Sequence, residues 1–183
     1  RLSRGLGDVY KRQILSGSTL VLHDINPETL KNTYEIALSY KEKLDVNFNI
    51  ESTTSLSDAL KKADFCLISI EVGNRFELWE QDWKVPLQYG IKQVYGENGG
   101  AGGLFHAMRQ VPAIIKICED IEKICPEAFV FTYSNPMQRI CHALNTRFPN
   151  LRITGLCHEI ASMTRQLPTC LLYTSDAADD DHC

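Results

Sequence analysis

A chain of 183 residues with 44% hydrophobic content is long enough to bury one sizeable core, so one α/β domain or part of a larger one is expected. Its formal charge of −4 at pH 7 excludes a nucleic-acid partner, since affinity for a phosphate backbone needs clustered Lys and Arg. No apolar stretch approaches the roughly 18 uninterrupted residues of a membrane span and no segment resembles a secretory signal, which predicts a cytoplasmic protein with no membrane partner.

The opening RLSRGLGDVYKRQ has neither a strand nor a helix period, and the closing LLYTSDAADDDHC ends in an acidic run. Both resemble translated adapter read-through. The expected division is a non-native tail at 1–13, a partial domain at 14–170 and a second non-native tail at 171–183. Between the tails, residues 18–24 (STLVLHD) form a β-rich run that ends in an acid. Residues 27–44 start with Pro27 and set Leu30, Tyr34, Ala37 and Leu38 on a helical period. Residues 46–50 (VNFNI) alternate as a strand, and 55–62 read as a short helix that Ser55 or Ser57 could cap. Residues 65–72 (FCLISIEV) are apolar enough for a strand buried on both faces. Residues 75–89 are amphipathic and aromatic, 104–124 a long helical pattern, 128–133 (AFVFTY) a further buried strand, 137–147 a helix and 151–154 a strand that turns at Gly155. This alternation predicts an α/β fold with a doubly wound, Rossmann-like parallel sheet. The seven cysteines lie mostly in apolar patterns and read as reduced core thiols rather than a disulfide framework.

A Rossmann domain opens with a strand, a G-x-G-x-x-G turn and a helix, and carries at the end of its second strand an acid that meets the adenosine ribose. Asp24 stands at such an end, so residues 14–17 read as the tail of the first helix, with the first strand and its glycine loop missing. The alternative is that Asp24 caps the next helix with Asn26 and Pro27. Ser134-Asn135-Pro136 follows a strand, where Asn135 can bridge the nicotinamide side of a dinucleotide and a substrate hydroxyl, or form a plain Asn-Pro turn. The glycines within 97–103 suit a chain passing close to a ligand, and amides near Gly103 could face an anion at a helix start. Cys157 and His158 offer the thiolate and imidazole that divalent transition metals accept, although a buried free Cys and a satisfied His fit the same letters.

In chain order, LVLHDINPETL, DFCLISIEVG, QYGI, GENGGAGGLFHAMRQVP, FTYSNPM and GLCHE resemble the family 4 glycoside hydrolases, glycosidases that use NAD and a divalent metal on a lactate/malate dehydrogenase type of Rossmann fold. The resemblance covers nearly all of 14–169. It implies NAD and Mn2+ or another divalent metal as cofactors, with Cys157 as metal ligand. It implies that Asp24, Val72, Gly73 and Asn135 meet NAD, and that Glu97, Asn98, Asn135 and His158 meet the sugar. His158 is then an acid catalyst, a ligand or a substrate contact. The family's second metal-binding His and its Tyr base fall downstream of the matched region, so the fragment alone is expected to be inactive. The full-length enzyme is implied to be a homo-oligomer acting on a small-molecule glycoside.

The implied chemistry is NAD-dependent oxidation at C3 of the sugar, removal of the acidified C2 proton, elimination of the glycosidic oxygen from C1, addition of water and re-reduction of C3, with the metal as Lewis acid. Members acting on 6-phosphosugars tend to carry Asn or Asp after the metal Cys and a basic residue before the Pro-Leu-x-Tyr-Gly stretch. Here His158 follows Cys157, and residues 78–83 read LWEQDW, whose acids would repel a phosphate and whose aromatics could stack on a sugar face. An unphosphorylated α-galactoside, α-glucoside or α-uronide is favoured, and Arg75 could meet a uronate carboxylate. The rival readings are a metal-independent lactate/malate-type dehydrogenase and a non-catalytic nucleotide-binding fragment.

Overall fold

A computed structural model describes residues 16–44 and 46–157. Both terminal tails and His158 lie outside the described residues. The chain divides into two compact units, one made of residues 1–63 with 123–125, the other of 64–122 with 126–183.

The first unit is strand β1 (Thr19–His23), helix α1 (Pro27–Leu44), strand β2 (Asn49–Thr53) and the short helix α2 (Leu56–Leu60). Asn26 caps α1, its Oδ1 accepting from the amides of Glu28 at 2.9 Å and Thr29 at 3.2 Å. Glu28 in the first turn and Lys41 and Lys43 in the last complement the helix dipole. The β1 and β2 strands pair in parallel from Thr19↔Asn49 to His23↔Thr53. That partner moves β2 away from the expected 46–50: the Gly17 amide takes the Asn47 carbonyl at 2.7 Å, and the Asn49 amide donates to Ser18 O at 2.9 Å, so the ladder starts at 49. Ser55 caps α2 by accepting from the Asp58 amide at 3.3 Å.

The second unit runs β3 (Phe65–Ile68), α3 (Arg75–Gln88), α4 (Gly100–Ile124), β4 (Phe129–Thr132), α5 (Met137–Arg147) and β5 (Arg152–Gly155), with all three strands parallel in the order β3-β4-β5. Cys66, Ile68, Val130 and Thr132 are buried on one sheet face, and Ile114, Cys118, Ile121, Ile140, Leu144 and Phe148 from the helices complete that core. The expectation of strands buried on both faces fails here. Phe65, Leu67 and Phe129 point to the other face and are 64%, 67% and 43% exposed. The β3 strand also ends at Ile68 rather than 72, because beyond Tyr133, whose amide donates to Ile68 O at 2.8 Å, the next partner of β3 is a side chain, Ser134.

Helix α4 begins at Gly100 rather than at 104, its first turn closed by the Gly103 amide on Gly99 O at 2.9 Å. A Cβ at Gly103 would lie 2.5 Å from the Asn98 carbonyl carbon and oxygen, so glycine is what lets the loop double back this tightly. Each sheet matches part of the doubly wound order 3-2-1-4-5-6: β2-β1 reads as 3-2 and β3-β4-β5 as 4-5-6. Strand 1 has no counterpart among the described residues. The described cysteines stand as thiols, with Cys118 pushed up to about 12 by burial.

Candidate functional site

Because β3, β4 and β5 are parallel neighbours, the segments leaving their carboxyl ends lie side by side. Buried Ser134 ties the first two together: its Oγ accepts from the Ile70 amide and donates to Ile70 O, both at 2.9 Å. The Leu156 amide donates to Thr132 O at 2.9 Å and draws the third segment along β4. Glu71, Asn135 and Cys157 therefore follow the ends of three adjacent strands, the edge at which open α/β sheets bind ligands.

A carboxylate network closes over this edge. Glu97, only 9% exposed, accepts a hydrogen bond from Asn135 Nδ2 and is paired with Arg75, whose Nη2 lies 3.3 Å from Oε1 and 3.1 Å from Oε2. With its Nδ2 so committed, Asn135 keeps Oδ1 as an acceptor for a ligand. The Arg75 guanidinium sits 4.4 Å above the Trp79 ring.

Glu71 lies within the same cluster. Its Oε1 accepts from Gln110 Nε2 and is 3.5 Å from His106 Nε2, and one ligating atom each of Glu71, Glu97 and His106 falls within 4.8 Å of the others. The His106 side chain is 1% exposed, and neither ring nitrogen makes a hydrogen bond among the described residues. Loss of water around Glu71 raises its pKa above the ordinary carboxylate range, and the nearby Glu97 charge pushes the same way; His106, Arg75 and Arg109 oppose them without prevailing. The sequence reading missed Glu71, His106 and Gln110.

Helices α3 and α4 are held by a separate polar lock. Buried Asp82 is paired with both Nη1 and Nη2 of Arg109, and Gln93 bridges the Asp82 carbonyl at 2.7 Å and the Gly102 amide at 3.0 Å. That corrects one expectation: the amides near Gly103 are used inside the protein, Gly102 on Gln93 and Gly103 on Gly99, and face no anion. A second correction concerns the LWEQDW segment. Trp79 and Trp83 pack edge-on against Tyr95 at 5.8 and 5.9 Å, and Asp82 is neutralised by Arg109, so Asp82 is not free to repel a phosphate.

Asp24 follows β1 in the other unit, half-buried, its Oδ1 accepting from the Asn26 amide at 2.7 Å while Asn26 rather than Asp24 caps α1. Val72 and Gly73 follow β3, with Gly73 at φ +82°. Asn98 is exposed beside Glu97. Cys157 is half-buried, two residues past β5, and the one group of three metal-capable side chains among the described residues does not include it. In that group Glu97 is occupied by Arg75 and Asn135, and Glu71 by Gln110, which makes it a hydrogen-bonded network.

Residues 3–173 match the model of the family 4 glycosyl hydrolases, a span that overlaps part of each terminal segment read as a tail. An α-glucosidase of Erwinia rhapontici is 53% identical over 166 residues, covering 91% of this chain and 37% of the relative. An α-galacturonidase of Thermoanaerobacter italicus is 38% identical over 159 residues, 87% of this chain and 34% of the relative. Among solved structures, a 6-phospho-α-glucosidase from gut microorganisms in complex with NAD and Mn2+ superposes with a TM-score of 0.74 at 26% identity, covering 84% of this chain and 34% of that one. The malate dehydrogenase of Plasmodium falciparum, at 20% identity and a TM-score of 0.54 over 85% of this chain and 42% of that one, shares the fold alone. The chain spans about a third of the length of the curated relatives it matches.

Proposed function

Because the chain belongs to the family 4 glycosyl hydrolases, we propose that it is the nucleotide-binding part of an enzyme that hydrolyses the O-glycosidic bond of an unphosphorylated α-glycoside with NAD and a divalent metal. The observation that carries this reading is the row of Asn135 and Cys157 on adjacent parallel strand ends, beside the Glu97 carboxylate.

The residues fit both groups. Cys157 is a half-buried thiol past a carboxyl strand end, a soft donor suited to Mn2+ only as part of a mixed ligand set, which His158 or a residue beyond the described ones would complete. Asp24 is a half-buried carboxylate at the end of β1, suited to accept from ribose hydroxyls, and Val72 and Gly73 give backbone at the edge where the dinucleotide would cross. NAD, when bound, supplies a hydride acceptor and later a donor at C3 of the sugar. The metal supplies Lewis-acid polarisation of the sugar oxygens. Asn135, aimed by Glu97, accepts from a sugar hydroxyl or the nicotinamide amide through Oδ1. Glu97 and Asn98 line the sugar side.

Substrate class follows from charge. Arg75, beside the cluster, is already neutralised by Glu97 and so is not free to draw a phosphate or a uronate, and the relative at 53% identity is an α-glucosidase. An α-glucoside is therefore the first substrate to test. The enzyme is read as a cytoplasmic homo-oligomer; no helix among the described residues is long and apolar enough to cross a membrane. Cleavage of p-nitrophenyl α-glycosides by the full-length enzyme, with NAD and Mn2+ added or withheld, tests the reading. Activity on the α-glucoside that needs both additions is expected, and full activity without either would overturn it.

A further inference from the structure

Elimination from C1 requires that the departing glycosidic oxygen receive a proton, and on the reading above His158 is the only candidate so far. Resting on that reading, we propose that Glu71 is the general acid for the leaving group, its carboxyl held by Gln110 beside His106.

Position comes first. Glu71 stands on the carboxyl edge of the sheet, and one of its oxygens lies within 4.8 Å of a Glu97 oxygen, so it belongs to the same cluster as Glu97 and Asn135. Its Oε1 is turned to Gln110 and His106, and Oε2 takes no hydrogen bond from the described residues, which leaves it for a ligand. The side chain is 28% exposed, open enough to meet a substrate oxygen and covered enough for desolvation to raise its pKa.

Two neighbouring carboxylates in one pocket divide into an ionised and a protonated partner when their surroundings differ. Glu97 has a guanidinium and an amide donor, which favour its charge. Glu71 has an amide donor but no ion pair to Arg or Lys, and desolvation together with the Glu97 charge favours its neutral form against the pull of His106, Arg75 and Arg109. The same three-residue cluster has the spacing of a cation site, but the Arg75 guanidinium already supplies the positive charge there.

The step balances as follows. In the sugar oxidised at C3, a base outside the described residues takes the C2 proton; that C–H pair becomes the C1=C2 bond, and the C1–O pair leaves with the aglycone oxygen. That oxygen takes the Glu71 proton, leaving a carboxylate. When water adds to C1, the carboxylate recovers a proton from it, and C2 is reprotonated by the conjugate acid of the base.

Glu71→Gln keeps the shape and can still accept from Gln110, so it isolates the proton. In the full-length enzyme with NAD and Mn2+, kcat/KM of E71Q should fall about 100-fold or more on methyl α-glucoside, whose leaving group needs protonation, and less than about tenfold on p-nitrophenyl α-glucoside, whose leaving group does not. Equal losses on both substrates, or no loss on the methyl glycoside, would overturn the assignment. A wild-type enzyme that cleaves both without NAD would instead overturn the functional reading on which it rests. If E71Q does not fold, wild-type pH profiles decide: a basic limb on the methyl glycoside that is missing on the aryl glycoside supports Glu71, and identical profiles exclude it. Infrared difference spectra of wild type against Glu71→Asp, followed through a pH titration, should show the protonated-carboxyl band of Glu71 persisting to higher pH than that of an ordinary Glu; a band lost where an ordinary Glu loses its own also excludes the assignment.

Discussion

In the unit built on β1 and β2, Leu30 and Leu60 are the buried apolar side chains of the helices, whereas the unit built on β3, β4 and β5 seals Ile114, Cys118, Val130, Ile140 and Leu144 at 0% exposure. Their sites differ in the same sense. Asp24 rides on a two-stranded ladder of a kind that is marginally stable by itself, while Glu97 is hydrogen-bonded to Asn135, and Glu71 to Gln110, over a packed sheet. The difference predicts unequal rigidity: the Glu71, Glu97 and Asn135 cluster sits over the better-packed sheet, and Asp24 sits on a part of the chain with little core of its own. Hydrogen exchange should accordingly be slow in β4 and α4 and faster in β1 and β2.

Truncations test that contrast most severely. Ile114→Ala should destabilise by about 2–5 kcal/mol, since it empties a fully buried site, whereas Ile36→Ala, 58% exposed on α1, should stay within about 0.5 kcal/mol. Equal shifts in the denaturant midpoint would erase the distinction. Polar locks come next. Ser134→Ala strands the amide and carbonyl of Ile70 and should cost about 1–3 kcal/mol, against about 1 kcal/mol for losing the α1 cap in Asn26→Ala.

The smallest effect is one of pH. Glu71 has a folded pKa raised above the 4.5 of an ordinary Glu, so the native state binds its proton more tightly than the unfolded state. The stability this contributes is complete below pH 4.5 and is lost as pH rises through the folded value. Melting temperatures of Glu71→Gln measured against wild type should therefore improve from pH 4.5 upward and level off once pH has passed the folded value; a difference independent of pH would show that Glu71 titrates as it would in water.

Much of this was legible in the sequence where local signals decide. Helix α1 occupies 27–44 and α5 occupies 137–147 as read, because the Asn26 cap with Pro27 fixes the first start and Pro136, as the N-cap residue, fixes the second. The strands were less legible, since a partner sets the ladder: β2 begins where Ser18 and Gly17 meet it rather than where its letters alternate. The carboxyl-edge position of Asn135 followed from strand–turn–helix order alone. The Glu71 cluster did not, because it joins Glu71 to Glu97 and His106, 26 and 35 positions further along the chain. A signal was present in GLFHAMRQ: His106 and Gln110 fall on the α4 stripe that continues through Ile114, Cys118 and Ile121, where only apolar residues belong unless a polar partner waits opposite.

The central claim is that this sheet serves a glycosidase working through oxidation and elimination rather than direct displacement at C1. Hydrolysis of an α-glucoside by the full-length enzyme in D2O, with NAD and Mn2+ present, tests it at the atom concerned. The account predicts glucose carrying solvent deuterium at C2, seen as loss of the C2 proton signal in the product spectrum; complete retention of protium at C2 would contradict it.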